Sequence, residues 1–296
     1  MTRPTEAHGA GLRERLGDSL FARVAGPDGP QNRARIHGTP GPRWFGPDRP
    51  VRRVHGDASM FIGGLSALLL QSLHPLAMAA VSAHSGFRGD PWGRLQRTST
   101  FLAVTTYGTA DSAREACDRV RAVHERVRGV TGDGTPYHAS DPRLLGWVHL
   151  AETDSFLRAH QRYGARPLSG AECDAYVADT ARVAVALGVP DPPTDRAELA
   201  AGLSAYRGEL RATAEARATA RFLLLEPPVP LVARVPYGVL AANAVSLLPS
   251  WAAAELGLPR LPLVDGLFVR PLGGAVTSVV RWALAPSRSR LPPTAG

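Results

Sequence analysis

From Ala58 to about His84 the chain carries no charged residue, a stretch long enough to cross a bilayer and too apolar to lie along a protein surface. Its interior argues against spanning. Gln71, Ser72, His74 and Pro75 sit in the middle, Gly63-Gly64 lies near the start, and no belt of Trp or Tyr flanks it. Pro75 lacks the backbone donor that a continuing helix needs, so it should kink the segment. The stretch therefore predicts a kinked central helix, capped by Asp57 and buried on nearly all sides. The rest of the chain must then wrap around it.

Composition sets the class of the wrapping. Alanine, leucine, arginine and glycine dominate and β-branched runs are scarce, which favours helix over strand. With 44% hydrophobic residues the chain can bury a substantial core. The formal charge of +8 is carried by arginine, which suits an acidic ligand, an anionic lipid or nucleic acid. No basic run interleaves with aromatics, so a nucleic-acid partner is not expected. Cys117 and Cys173 are far apart with no C-x-x-C, which fits a reduced cytosol and neither a disulfide framework nor a zinc site. Met1–Gly11 is polar and lacks the apolar core of a signal peptide. A cytoplasmic location follows.

Along the chain, a short amphipathic helix is predicted over about Gly11–Val24, then a Pro/Gly/Arg-rich loop or arm over Gly26–Arg53. Asp90-Pro91 starts a helix that Gly108 ends, with proline in the first turn where its missing N–H does no harm. A second, capped by Asp111 or Ser112, runs to Arg128 with Gly129 closing it. Its apolar stripe is Ala113, Ala116, Cys117, Val120 and Val123/His124, which sets His124 on or beside the buried face. Val130–Ser140 reads as a loop. The helix from Asp141-Pro142 to Tyr163 carries Leu145, Val148, His149, Glu152 and Phe156 on one broad face. Helices follow at Ala171–Leu187 and Arg196–Leu210, and apolar ones at Tyr237–Leu256 and Leu267–Ala285, with a disordered tail over Pro286–Gly296. With no internal repeat and no linker, the expectation is one all-α helical bundle. Residues 1–56 would be its N-terminal helix and arm, 57–285 its main domain and 286–296 its tail.

Much familiar chemistry is missing. There is no G-x-S-x-G, no Walker loop, no G-x-G-x-x-G and no H-E-x-x-H. A di-iron bundle needs two E-x-x-H pairs, and the chain offers one reversed pattern, His149-Leu150-Ala151-Glu152. What remains is histidine on helices (His124, His149, His74) with arginine nearby on a neighbouring helix (Arg94, Arg97). One imidazole nitrogen is enough to hold a haem iron, and arginines suit the two propionates. Each residue also has a plain structural explanation. A histidine on an apolar face is more often a hydrogen-bonded core residue than a ligand, and exposed arginines are by default a solvated face.

These residues carry a resemblance. Leu70-Gln71 with His74-Pro75, Gly89-Asp90-Pro91 with Arg94-x-x-Arg97-Thr98, and His124-x-x-Val127-x-Gly129 are similar to the rubber oxygenase (latex clearing protein) and MpaB-type oxygenase catalytic-domain family. Tyr137, Asp141-Pro142, Trp147-Val148-His149 and a late Leu-Pro-x-Trp-(x)5-Gly-Leu-Pro ending at Pro259 extend the match from about Asp57 to Leu256 and beyond. The resemblance implies a globin-like helical bundle around haem b, with His124 as proximal iron ligand and O2 as co-substrate. It implies a distal side formed by Arg94, Arg97 and Thr98, with His149 and His74 as further cofactor-binding candidates. The family's distal lysine is Arg97 here, and arginine stays protonated and cannot ligate iron. The glutamate proposed as base in rubber cleavage has no counterpart, Met78 lying near its aligned place. The expected substrate is therefore a small, largely apolar organic molecule such as an alkene rather than rubber, with an electron donor as a further partner. Two other readings stand beside it. One is a non-haem metal enzyme or small-molecule binder using His124 and His149. The other is a non-enzymatic protein associating peripherally with membranes through its basic surface and apolar C-terminal helices; peripheral membrane contact is not the primary expectation.

Overall fold

The structure, a computed structural model, describes residues 5–86 and 89–289. In chain order the first elements are α1 (Thr5–Ala25), α2 (Gly29–Gly38), α3 (Pro50–His55), α4 (Met60–Gln71) and α5 (Pro75–His84). Next come α6 (Pro91–Tyr107), α7 (Ala110–His124), the strands β1 (Arg128–Val130) and β2 (Pro136–His138), and α8 (Pro142–Tyr163). The second half is α9 (Gly170–Leu187), α10 (Arg196–Ala205), α11 (Ala214–Leu225), α12 (Leu231–Leu247), α13 (Ser250–Glu255), α14 (Pro262–Val264) and α15 (Arg270–Ser289). A π-helical stretch, Asp265–Val269, joins the last two. The fold is all-α and single-domain, as composition implied.

Pro75 breaks the central segment outright. The chain leaves α4 through Ser72-Leu73-His74, restarts with proline in the first turn of α5, and the two helices are bent by 109°. The α4 half is the core element, and it packs most extensively on α8. Gly63 permits that approach, since a Cβ there would come within 2.9 Å of the Phe156 ring and 3.1 Å of Ala159. Trp147, fully buried on α8, donates its indole N–H to the Gln71 carbonyl at 3.1 Å, satisfying the broken end of α4. Asp57 caps this region by accepting from the Ser59 amide at 2.8 Å. It also receives Nε and Nη2 of Arg281, both at 3.0 Å, which ties α15 to the start of α4.

Several boundaries differ from the sequence pattern. The Gly26–Arg53 arm contains two helices, because Pro30 and Pro50 each open a first turn. Trp44, Phe45, Val51 and Val54 from this region enter the main core, and Arg49 pairs with Asp179 on α9. Helix α7 is capped by Thr109, whose hydroxyl accepts from the Ser112 amide at 3.2 Å, rather than by Asp111 or Ser112. It ends at His124, four residues before the predicted end at Arg128. Arg128–Val130 instead pairs antiparallel with Pro136–His138, with Gly129 opposite Tyr137. Gly129 is thus not a helix cap: any Cβ there would collide with the Tyr137 hydroxyl. The helix predicted over Tyr237–Leu256 begins earlier, at Leu231, and Pro249 divides it. Helix α15 continues through Pro286 to Ser289, so the predicted tail is helical at its start, and 290–296 lie outside the described residues.

Candidate functional site

The chain reverses at Gly108-Thr109, so the first half of α6 and the last half of α7 run side by side. Together with the α1–α2 junction they border an open cleft of about 870 Å3. Arg97, Phe101 and Val104 face it from α6, Val120 and His124 from α7, and Asn32 and Arg35 from α2. The structure thus brings Arg97 and His124 into one space, at the end of the α6–α7 pair away from its connecting turn.

His124 is partly buried, its Nδ1 is shielded from solvent, and its ring nitrogens have no hydrogen-bond partner among the described residues. Burial lowers its pKa from the usual 6.5, so at neutral pH it is an uncharged imidazole with a free electron pair. Arg94 and Thr98 stand on the neighbouring face of α6 rather than on the cleft wall. Arg94 is half-buried without an acidic partner among the described residues, and its pKa is lowered by burial and then by Arg97. Arg97 is exposed, reaching Asp90 at 3.4 Å. The Thr98 hydroxyl donates to the carbonyl of Arg94 at 3.0 Å, so in this arrangement its proton is committed within the helix.

Deeper in the bundle lies a second set of polar groups. His149 has an orphaned, buried Nε2, and burial pushes its pKa down to about 4. Glu152, one turn further along the same face of α8, makes no hydrogen bond, and burial raises its carboxyl to about 7. Both residues nevertheless carry some accessible surface. Beside them His55 shares a hydrogen bond with Thr106 on α6 at 2.8 Å and meets the rings of Phe156 and Tyr176 edge-on. Its pKa is also held at about 4 by burial.

His74 is placed elsewhere. It is buried at the start of α5, with Nε2 3.5 Å from Glu209 and its ring against Tyr206. Glu209 in turn is held by Arg143, so this cluster pins the 109° bend to the 206–209 turn and the start of α8. Met78 is buried in the main apolar core. Sequence reasoning had no use for Glu152 and His55. The first was visible as a carboxylate on an otherwise apolar stripe. The second fell in a stretch taken for a loop and gave no signal.

The donor set suits a haem better than a bare metal ion. Among the described residues no three His, Cys, Asp or Glu side chains converge, whereas a haem iron asks for a single imidazole nitrogen and its propionates ask for cations. His124 offers the first and Arg97 the second, Phe101, Val104 and Val120 supply apolar wall, and Arg94 stands on the adjoining face of α6.

The sequence profile described as ER-bound oxygenase mpaB/B'/rubber oxygenase, catalytic domain, matches residues 52–282. Uncharacterized proteins from Mycobacterium bovis and Mycobacterium tuberculosis are each 35% identical to this chain over 109 residues, or 36% of it. The match spans about two fifths (42%) of the length of these curated relatives. No solved structure matches the chain significantly.

Proposed function

The chain belongs to the mpaB/rubber oxygenase catalytic-domain family, and on that footing we propose that it is a haem b-dependent oxygenase acting with O2 on a small, largely apolar organic substrate. The observation that carries the proposal is His124: an uncharged, hydrogen-bond-free imidazole in a cleft that also presents Arg97. Bound there, haem would supply redox chemistry and an open coordination position for O2.

The chain's own residues do the rest. His124 is the proximal ligand, and burial favours the neutral form that a ligand must have. Arg97, on the cleft wall, would meet the propionates by charge-assisted hydrogen bonds, with Arg94 reaching in from the adjoining face of α6. Arg97 remains protonated and would not itself serve as an iron ligand. Thr98 contributes once its hydroxyl turns away from the Arg94 carbonyl. Glu152, with a carboxyl at about 7, is the interior group able to give up or take a proton near neutral pH. Phe101, Val104 and Val120 give the cleft an apolar wall against which a substrate such as an alkene would lie.

The test is an absorbance spectrum of protein purified after haem-supplemented expression, as isolated and after dithionite, beside His124→Ala. A strong Soret band that shifts on reduction and is lost in the variant is expected. Full haem occupancy in His124→Ala, or a colourless but folded wild type, refutes the assignment.

A further inference from the structure

The outward face of the C-terminal helical segment is the least water-adapted surface of the molecule. Leu263, Leu267 and Phe268 are 81, 69 and 62% exposed. Phe268, Leu272, Ala275, Val279 and Trp282 then recur at alternating spacings of four and three, which sets them on one stripe of the helix. That stripe faces out, while Gly273, Thr277 and Ala283 form the buried side. Helix α12, which packs on the same segment, adds Leu231, Val232 and Val235, each at least 76% exposed. Single exposed leucines need no explanation; a helix that turns a continuous apolar stripe outward does.

Length alone would allow spanning. Within Pro262–Ala285 an 18-residue stretch has a mean hydropathy of 1.4 with 11% of it buried. Its inner face forbids it. Arg281 is locked to Asp57 by two bonds of 3.0 Å and donates to the Tyr163 carbonyl at 2.8 Å. Asn243 on α12 donates to the carbonyl of Val269 at 2.9 Å. Helix α1 also packs along α15. A spanning helix would break these ties and carry Arg281 into hydrocarbon. The segment is therefore built to lie flat, one face on the protein and one face free.

Charge identifies the occupant. Between Gly257 and Ala285 Asp265 is the single acidic residue, against Arg260 and Arg270, with Arg281 already paired with Asp57. Arg270, and Arg234 on α12, are exposed and have no acidic partner among the described residues. A second copy of the chain would bring these arginines face to face with too few carboxylates to meet them. We propose that the outward face of residues 261–279, with the first turns of α12, docks peripherally on an anionic phospholipid bilayer. Leu267 and Phe268 would enter the acyl boundary while Arg234 and Arg270 meet the headgroups.

Cosedimentation of the full-length protein with phosphatidylcholine vesicles, with and without phosphatidylglycerol, tests this independently of haem. Binding should require the anionic lipid and weaken as salt rises. Each arginine near the surface is worth about fivefold in affinity, so Arg234→Gln/Arg270→Gln should bind about thirtyfold more weakly. Leu267→Glu/Phe268→Asp, both at mostly exposed positions, should abolish binding while leaving circular dichroism and any Soret band unchanged. Absence of binding by the wild type, or unchanged binding by either double variant, overturns the proposal. So does protein that resists alkaline carbonate extraction, which would mean spanning. A wild-type dimer that Leu267→Glu/Phe268→Asp dissociates overturns it too, by assigning the face to a second copy.

Discussion

Glu152 gives the sharpest physical test of the interior. Its carboxyl sits on the packed face of α8 without a hydrogen bond, and burial raises its pKa from 4.5 to about 7. An acid with a raised folded pKa binds its proton more tightly in the folded protein than in the unfolded chain. Its contribution to stability is complete below pH 4.5 and is lost progressively as pH rises to the folded value. At about 1.4 kcal/mol per pH unit, that window costs the wild type about 3 kcal/mol by pH 8. Glu152→Gln keeps the shape of the side chain and removes the titration. Any fixed cost of burying the amide is the same at every pH, so the diagnostic quantity is the change in the gap. Urea unfolding of haem-free wild type and Glu152→Gln should show the variant gaining about 2.5 kcal/mol on the wild type between pH 5 and pH 8. A gap that stays constant across that range would mean the carboxyl is solvated or paired, and Glu152 would lose its place as an interior proton carrier.

Three further substitutions probe other parts of the molecule. Asp57→Ala strands the Arg281 guanidinium and frees two backbone amides, so it should cost about 3–5 kcal/mol in urea unfolding. Because the Asp57 pKa is held low by the Arg281 and backbone bonds against the opposing effect of burial, its contribution is present above the ordinary aspartate pKa and lost as pH falls through the folded one; the wild type should show an acid-labile component that Asp57→Ala lacks. Gly273→Ala drives a methyl into the Asn243 side chain at the α12–α15 crossing and should destabilise by about 1–3 kcal/mol in thermal melts; no change would mean that crossing is loose. Arg94→Leu removes a half-buried guanidinium that has only Arg97 for company, so the haem-free protein should gain about 1 kcal/mol while its affinity for added haemin, read at the Soret band, falls. A variant that loses stability and keeps its haem affinity would show that Arg94 serves packing.

What the sequence made legible was what short-range chemistry decides. Pro75 announced a kink, which the structure makes a full break between two helices, Asp90-Pro91 and Asp141-Pro142 announced helix starts, and the stripe on the second helix set His124 near its buried edge. Two kinds of feature were hidden. Helix ends that depend on a distant partner were misjudged, as at Arg128–Val130, where pairing with Pro136–His138 draws the chain out of helix. Groupings across the fold were the other. Nothing local separates His74, whose Nε2 lies 3.5 Å from Glu209 with its ring against Tyr206, from His149, which has no carboxylate or ring contact of that kind among the described residues. His55 sits in a Pro/Arg-rich stretch whose composition suggests a loop, yet its ring is held by groups from α6, α8 and α9.

The residues left without partners form a pattern of their own. His124 has a free electron pair, Arg94 an uncompensated guanidinium, and Glu152 a carboxyl that keeps its proton to about pH 7. Each costs the empty fold stability, since a polar group removed from water without a partner is unfavourable. A ligand that relieved one of them alone would leave the others as they are. A bare metal ion could accept the electron pair of His124, but it would repel Arg94 and lacks a third protein ligand among the described residues. An anion alone would satisfy Arg94 and ignore His124. The proposed haem would engage His124 and Arg97 in the cleft directly, while Arg94 on the adjoining face of α6 and Glu152 deeper in the bundle would act from outside that cleft.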